Sequence, residues 1–172
     1  GRCYTPRIHA TRLPAVKQIT PQQLDELAQQ AQQSPRQRAN LNLHPQLEDP
    51  IQRLAIAMEP TTYVRPHRHP HTWELLYPLQ GRFLVLHFDE AGMVIDRTIL
   101  GETAAVVENP AGCWHAVLSL DSGGVIFEVK HGPYMAIDAA DFAGWSPAAD
   151  SADAVRLNNW YATAQIGDRF SG

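Results

Sequence analysis

The chain has 172 residues, of which 44% are hydrophobic and 19% are charged, so it can bury a core and is not disordered by composition. The formal net charge of −4 argues against a nucleic-acid-binding surface as its main function. The longest apolar runs have the length of strands, not of membrane spans, which predicts no membrane partner.

The start of the chain lacks the basic-then-apolar order of a secretory signal. Two cysteines, Cys3 and Cys113, do not form a disulfide framework, and this usage is typical of a reducing compartment. We therefore expect a soluble, cytoplasmic protein.

An amphipathic helix is predicted near the start of the chain. Thr20 can cap it, Pro21 suits the first helical position, and Gln23 lies where the partner in a capping box belongs. The helix should end before Pro35, because the residue preceding a proline is pushed out of helical conformation. Apolar and polar residues then alternate over 36–44, which predicts a short extended segment.

The stretch from about residue 52 to residue 130 predicts an all-β unit, rich in Val, Ile, Leu and aromatic residues with turn signals between its segments. Eight short strands with regular turns favour a closed barrel or a jelly roll. The predicted strands are 52–59, 61–66, 72–79, 82–88, 93–100, 104–108, 114–120 and 124–130.

The region after residue 131 is rich in Ala and Asp and predicts a second helix over 151–164. Its large aromatic residues predict packing on the barrel, not a binding platform: Phe142, Trp145, Trp160 and Tyr161. We expect one compact domain with a helix and extended lead-in over 1–45, a barrel over 46–131, and a C-terminal extension over 132–172.

Four of the eight histidines fall between residues 67 and 87. Positions two apart on a strand share a face, so His67 and His69 should present both imidazoles to one side. Glu74 can fold back to the same point, and the turn at 110–112 delivers His115 at the start of an apolar strand. Three imidazoles and one carboxylate suit a first-row divalent ion, and Fe, Mn, Ni and Zn all stay open.

The alternative is that these are surface histidines in a proline-rich loop. That interpretation would have to explain four spaced donors, two glycine turns and a β context together. His71 could be a fifth ligand, but we expect it to support the site or lie at the surface. Cys113 is predicted to be a small buried residue, since a thiolate would favour a softer metal site.

The two histidine segments resemble the paired motifs of the cupin superfamily. The residues that match the first motif are His67, His69, Glu74 and Gly81, and those that match the second are Pro110, Gly112 and His115. The departures fall on turn and strand positions and not on ligands: Thr61, Ala104 and Ser119. This resemblance implies a double-stranded β-helix barrel (jelly roll) with one metal held by the three histidines and the glutamate, and a homodimer.

The segments 34–44, 63–70 and 127–134 also resemble the WbuC family of cupin-fold metalloproteins, over about residues 20 to 146. That resemblance implies an association with gene clusters for bacterial surface polysaccharide (lipopolysaccharide O-antigen). It implies no reaction, because members of the family have no established one.

Further polar side chains should lie around the metal. Those predicted to bind a substrate are Tyr63, Arg65, Lys130, Asn40 and Asn42, and those predicted to transfer a proton are Glu128, His44 and His87. The cations among them suit an anionic small molecule. The alternatives are an exposed charged strand face for Arg65, Glu128 and Lys130, and hydrogen bonds that cap a loop for the residues of the lead-in.

Three functions fit this pattern. A metal-dependent isomerase or epimerase of a sugar or sugar phosphate would use the metal as a Lewis acid beside a base. An iron dioxygenase would need a redox-active ion with adjacent open positions. A non-catalytic binding protein would need only the metal and a shaped pocket.

Overall fold

The computed structural model describes residues 13–172, so the prediction for Cys3 and part of the lead-in lie outside the described residues. The helices are α1 (Pro21–Gln33) and α2 (Ala152–Tyr161), with a 3-10 helix at Ala139–Asp141. The strands are β1 (Arg38–Asn42), β2 (Ile51–Met58), β3 (Glu74–Gln80), β4 (Phe83–Phe88), β5 (Val94–Leu100), β6 (Val107–Asn109), β7 (Trp114–Ser119) and β8 (Gly124–His131).

The strands form two antiparallel sheets, one of five strands in the order β1-β2-β8-β3-β6 and one of three in the order β5-β4-β7. Their facing sides enclose an apolar interior to which both sheets contribute, for example Ile56 and Ile126 from the larger sheet and Val85 and Val117 from the smaller. The predicted all-β class and jelly-roll barrel are confirmed.

Both outer faces of the barrel are covered. Helix α1 packs Leu27 and Ala31 on the larger sheet. The C-terminal extension covers the smaller sheet, with Leu157 and Tyr161 in one apolar cluster with Leu84. Strand β4 is therefore buried along its whole length, which explains its unbroken apolar sequence apart from His87. The predicted packing of Trp145, Trp160 and Tyr161 on the barrel is confirmed.

The capping box of α1 is present as predicted. The backbone N–H of Gln23 donates to Thr20 Oγ1 at 3.2 Å, and the N–H of Thr20 donates to Gln23 Oε1 at 2.8 Å. Helix α2 spans Ala152–Tyr161, which is shorter than the predicted 151–164.

The strand predicted over 61–66 is wrong. Residues 59–73 form no strand, and within them His67 alone makes a β-bridge. Proline lacks the N–H that a ladder needs, and Pro60, Pro66 and Pro70 interrupt this segment. The strand predicted over 104–108 is displaced to Val107–Asn109, because a turn at 101–103 ends β5 and leaves Ala104 with one isolated bridge to Leu100.

Among residues 13–172, no helix has the length and apolar character needed to cross a membrane.

Candidate metal site

Three imidazoles converge at one end of the barrel interior. His67 and His69 come from the irregular segment 59–73, and His115 comes from the start of β7. Their ring centroids are 4.9 Å (His67–His69), 4.4 Å (His67–His115) and 5.5 Å (His69–His115) apart. One nitrogen from each ring lies within 4.8 Å of the other two, which is close enough for a single ion.

Backbone hydrogen bonds set the tautomers of two of these rings. The Nδ1–H of His67 donates to the carbonyl oxygen of Arg65 at 2.8 Å, and the Nδ1–H of His115 donates to that of Cys113 at 2.9 Å. A neutral imidazole that donates from Nδ1 carries a free electron pair on Nε2. This is the usual arrangement of a histidine that binds a metal through Nε2.

Two ring nitrogens of the cluster have no hydrogen-bond partner in the described part of the chain. His69 Nε2 and His115 Nε2 are buried and make no hydrogen bond. An unpaired buried polar atom costs about 1–3 kcal/mol, so native structures rarely leave one unsatisfied. A metal ion would satisfy both nitrogens at once, and the residues therefore fit the ion that the motifs imply.

Glu74, the first residue of β3, supplies the carboxylate beside the imidazoles. Its Oε2 lies 3.2 Å from His69 Nε2 and its Oε1 lies 3.3 Å from His115 Nε2. The Nδ2 of Asn109, directly opposite on β6, donates to Glu74 Oε1 at 3.1 Å. The predicted set of His67, His69, Glu74 and His115 is thus brought together in space.

Burial and neighbouring charges favour a neutral imidazole beside an ionised carboxylate. Burial, and then the adjacent His115, lowers the pKa of His67 to about 3. Burial would raise the pKa of Glu74, but contacts with the carboxyl of Glu128 and with the imidazoles outweigh it and hold that pKa well below its usual range. Burial, and then the charge of Glu74, raises the pKa of Glu128 well above its usual range.

Glu128 and Lys130 lie beside the cluster on the concave face of β8. Lys130 pairs with Glu74 in the register of β3 and β8, and its Nζ lies 4.0 Å from Glu74 Oε2 and 3.4 Å from Glu128 Oε2. Two carboxyl groups and one ammonium thus face one small volume next to the imidazoles.

The register of β1 extends the same face to the edge of the sheet. Asn42 lies opposite Leu54, which lies opposite Glu128, so the three side chains share the concave face. Asn40 and Arg38 follow at alternate positions, and all three β1 residues are exposed. Arg38 belongs to the same alternation over 36–44, but the predicted substrate-binding residues of this segment were Asn40 and Asn42 alone.

Other predicted residues have different neighbours. The hydroxyl of Tyr63 donates to the carbonyl oxygen of Pro147 at 2.8 Å, and Arg65 Nε donates to Ser146 Oγ at 2.8 Å, so the polar ends of both side chains are bound to the C-terminal extension. Burial raises the pKa of Tyr63 to about 12. His44 accepts the backbone N–H of Arg53 through Nδ1 at 2.9 Å.

His87 is the cross-strand neighbour of His115, but its Nε2 faces Asn109 Oδ1 at 2.6 Å. His71 is exposed, as a surface position requires. Cys113 is half-buried, not fully buried as predicted, because it lies in the turn before β7; its thiol is free and burial raises its pKa.

The chain is a two-sheet β-barrel whose buried histidine cluster fits a divalent metal ion. A family model described as a domain of unknown function (DUF6016) matches residues 19–100. That range includes two of the three histidines and Glu74 but not His115. Comparison with curated proteins gave no match.

Several solved structures are similar to the chain. KdgF from Halomonas sp. is 14% identical over 57% of this chain and 80% of its own, with a TM-score of 0.46. The Cnp3 cupin domain of Schizosaccharomyces pombe is 15% identical over 60% and 67%, with a TM-score of 0.44. A putative sugar phosphate isomerase from Acidithiobacillus ferrooxidans is 16% identical over 55% and 59%, with a TM-score of 0.43. At these values no activity is transferred to this chain.

Proposed function

We propose that the protein binds one divalent transition-metal ion through His67, His69, Glu74 and His115. The observation that carries the proposal is the convergence of buried imidazoles whose Nε2 atoms, at His69 and His115, make no hydrogen bond within residues 13–172. A protein that held no ion there would keep both nitrogens buried without a hydrogen bond, beside carboxylate oxygens at 3.2 Å and 3.3 Å.

The donor set favours a first-row ion without choosing among Fe, Mn, Ni and Zn, because imidazole and carboxylate suit all four. When bound, such an ion acts as a Lewis acid that polarises a carbonyl or hydroxyl oxygen of a ligand.

We propose a small anionic ligand, of which a sugar or sugar phosphate is the best candidate. Lys130 supplies a cation beside the cluster, and Arg38 supplies a second one at the exposed end of the same concave face. Asn40 and Asn42, exposed on that face, present amides that suit hydroxyl groups. These contacts would orient a polyhydroxy acid or its phosphate in front of the imidazoles.

We propose isomerisation or epimerisation as the reaction, with Glu128 as the group that moves a proton. Its carboxyl is buried 3.4 Å from Lys130 Nζ and shares a face with Leu54 and Asn42, on the path between the imidazoles and the edge of the sheet. In its ionised form, a carboxyl group in such a position can accept a proton from one carbon and return it to another.

The biological setting is proposed from the resemblance to the WbuC family alone: a cytoplasmic homodimer that serves bacterial surface-polysaccharide metabolism. The ligand chemistry proposed above is compatible with that setting and does not depend on it.

The first test is metal content, measured by elemental mass spectrometry on protein purified without added metal. We expect about one ion per chain, and its loss in His115→Ala. His71→Ala is the matched control, because it removes an exposed imidazole near the site. Retention of the full metal content by His115→Ala would contradict the proposed ligand set, and absence of metal from both proteins would contradict the metal site.

The second test addresses the reaction. Aldose and ketose phosphates are incubated with the metal-loaded protein in D₂O, and deuterium incorporation at carbon is followed by NMR. We expect exchange that Glu128→Gln abolishes while metal content is kept. No exchange, together with oxygen consumption that iron supports and zinc does not, would favour a dioxygenase; binding without either would favour a non-catalytic protein.

A further inference from the structure

A chain of hydrogen bonds extends from Glu74 away from the imidazoles. Asn109 Nδ2 donates to Glu74 Oε1 at 3.1 Å, and Asn109 Oδ1 lies 2.6 Å from His87 Nε2. All three residues are buried, with Asn109 only 1% exposed. The proposed metal ligands do not include Asn109 or His87, so metal coordination itself gives these two residues no role.

The polarity of this chain follows from its chemistry. An ionised carboxylate only accepts, so the amide nitrogen of Asn109 must face Glu74 and its oxygen must face His87. His87 therefore carries its proton on Nε2 and donates it. Its Nδ1 lies 3.6 Å from Asp96 Oδ2, beyond hydrogen-bond distance, and makes no hydrogen bond within the described residues. The direction of donation is thus from His87 to Asn109 to Glu74.

The chain also connects the two sheets. Glu74 and Asn109 are directly opposed on β3 and β6 of the larger sheet, whereas His87 lies on β4 of the smaller sheet, opposite His115. Strand β6 has three residues, and its pairing with β3 places Asn109 against Glu74. Because both links of the chain are hydrogen-bonded within the barrel wall, they restrict the Glu74 carboxylate to one orientation.

We propose that Asn109 and His87 are positioning residues that hold the Glu74 carboxylate toward the three imidazoles and thereby set metal affinity. Asn109 acts on Glu74 directly, and His87 acts through Asn109. This inference rests on the proposed metal site, and it gives His87 a different role from the proton transfer predicted from sequence.

The test measures Co²⁺ binding to the whole chain by competition with a chromophoric chelator, and records the visible spectrum of the bound Co²⁺. Asn109→Leu and His87→Leu each remove one link, and Asn109→Ser is a smaller replacement that serves if the leucine variant does not fold. His87→Gln keeps an N–H donor near the position of Nε2. Asn158→Leu is the matched control, because Asn158 is a buried amide that donates to the carbonyl of Pro60 instead of to the site.

We expect Asn109→Leu and His87→Leu to weaken Co²⁺ affinity about 10- to 100-fold and to change the Co²⁺ spectrum. His87→Gln should recover most of the affinity, and Asn158→Leu should leave affinity and spectrum unchanged. The double variant should bind no more weakly than Asn109→Leu, because His87 acts through Asn109.

Affinity within about twofold of the parent protein in His87→Leu or Asn109→Ser, with an unchanged spectrum, would overturn the inference while the metal site stands. If the parent protein itself fails to bind Co²⁺, the proposed metal site is overturned and the inference fails with it. The two failures are therefore distinguishable in one experiment.

Discussion

His67 and His115 are joined by two backbone hydrogen bonds, in which each N–H donates to the carbonyl oxygen of the other residue, at 3.0 Å and 2.9 Å. This antiparallel bridge attaches the otherwise irregular segment 59–73 to the start of β7. Directly opposed residues project to the same side, which explains why the two imidazole centroids are 4.4 Å apart.

Metal binding should couple to stability, because the ligands come from segments that are far apart in sequence. An ion that binds only the folded chain, at a free concentration of 100 times its Kd, adds about 2.7 kcal/mol to the free energy of unfolding. We expect a chelator to lower the Tm of the parent protein, as followed by circular dichroism during heating. His115→Ala should melt at the same temperature with and without the chelator, and an equal response of both proteins would contradict the prediction.

The C-terminal extension borders the histidine segment on its other side. His67 forms a bridge with Phe142, and Arg68 donates its backbone N–H to the carbonyl of Asp141 at 2.9 Å and its Nε to Asp141 Oδ1 at 2.9 Å. The side chains of Arg68 and Asp141 are 31% and 17% exposed, so solvent screens the ion pair in part.

We expect Asp141→Ala to lower the free energy of unfolding by up to about 1 kcal/mol, since partly exposed ion pairs contribute no more than that. Urea denaturation measures this loss. Asp153→Ala, which removes an ion pair with Arg156 on α2 whose side chains are 60% and 56% exposed, is the control and should have a smaller effect. A loss for Asp141→Ala that does not exceed that of the control would contradict the prediction.

Tyr161 anchors the C-terminal extension on the barrel. It is 0% exposed, and its hydroxyl donates to the carbonyl oxygen of Val64 at 3.0 Å. Tyr161→Phe should cost about 1–3 kcal/mol, because it leaves that carbonyl without its donor, and Tyr161→Ala should cost about 3–5 kcal/mol through the cavity as well. Urea denaturation tests the order. Tyr134→Phe, at a 54% exposed position, should have no measurable effect.

The sequence predicted the elements whose signals are local. The capping residues of α1 and the alternation and turns of the strands depend on neighbours within a few positions, and α1 accordingly begins at Pro21 as expected. The proposed ligands could also be predicted from the sequence, because His67, His69 and Glu74 lie close together in the chain. One β-bridge, at His67, attaches this segment to β7.

The positions that the sequence did not predict depend on pairing between distant segments. Asn109 matters because it lies opposite Glu74, 35 residues away in the sequence, and no local pattern marks it. Arg38 joins the concave face through the register of β1 with β2. The prediction that Tyr63 and Arg65 share a face with His67 assumed a strand, which the prolines prevent. Their side chains contact the C-terminal extension instead.

Gly92, in the turn between β4 and β5, offers a test of how closely the extension packs. Its φ is 87°, which L-residues rarely adopt, and a Cβ there would lie 2.8 Å from the Trp145 ring. The backbone conformation alone should cost Gly92→Ala about 1–2 kcal/mol, and the clash should add to that. Gly167→Ala is the matched control, because Gly167 has a φ of 95° but no atom within 4 Å of the added carbon. Urea denaturation should show a larger loss for Gly92→Ala, together with a change in Trp145 fluorescence. Equal losses in the two variants would contradict the prediction, because they would mean that the Trp145 ring moves aside freely.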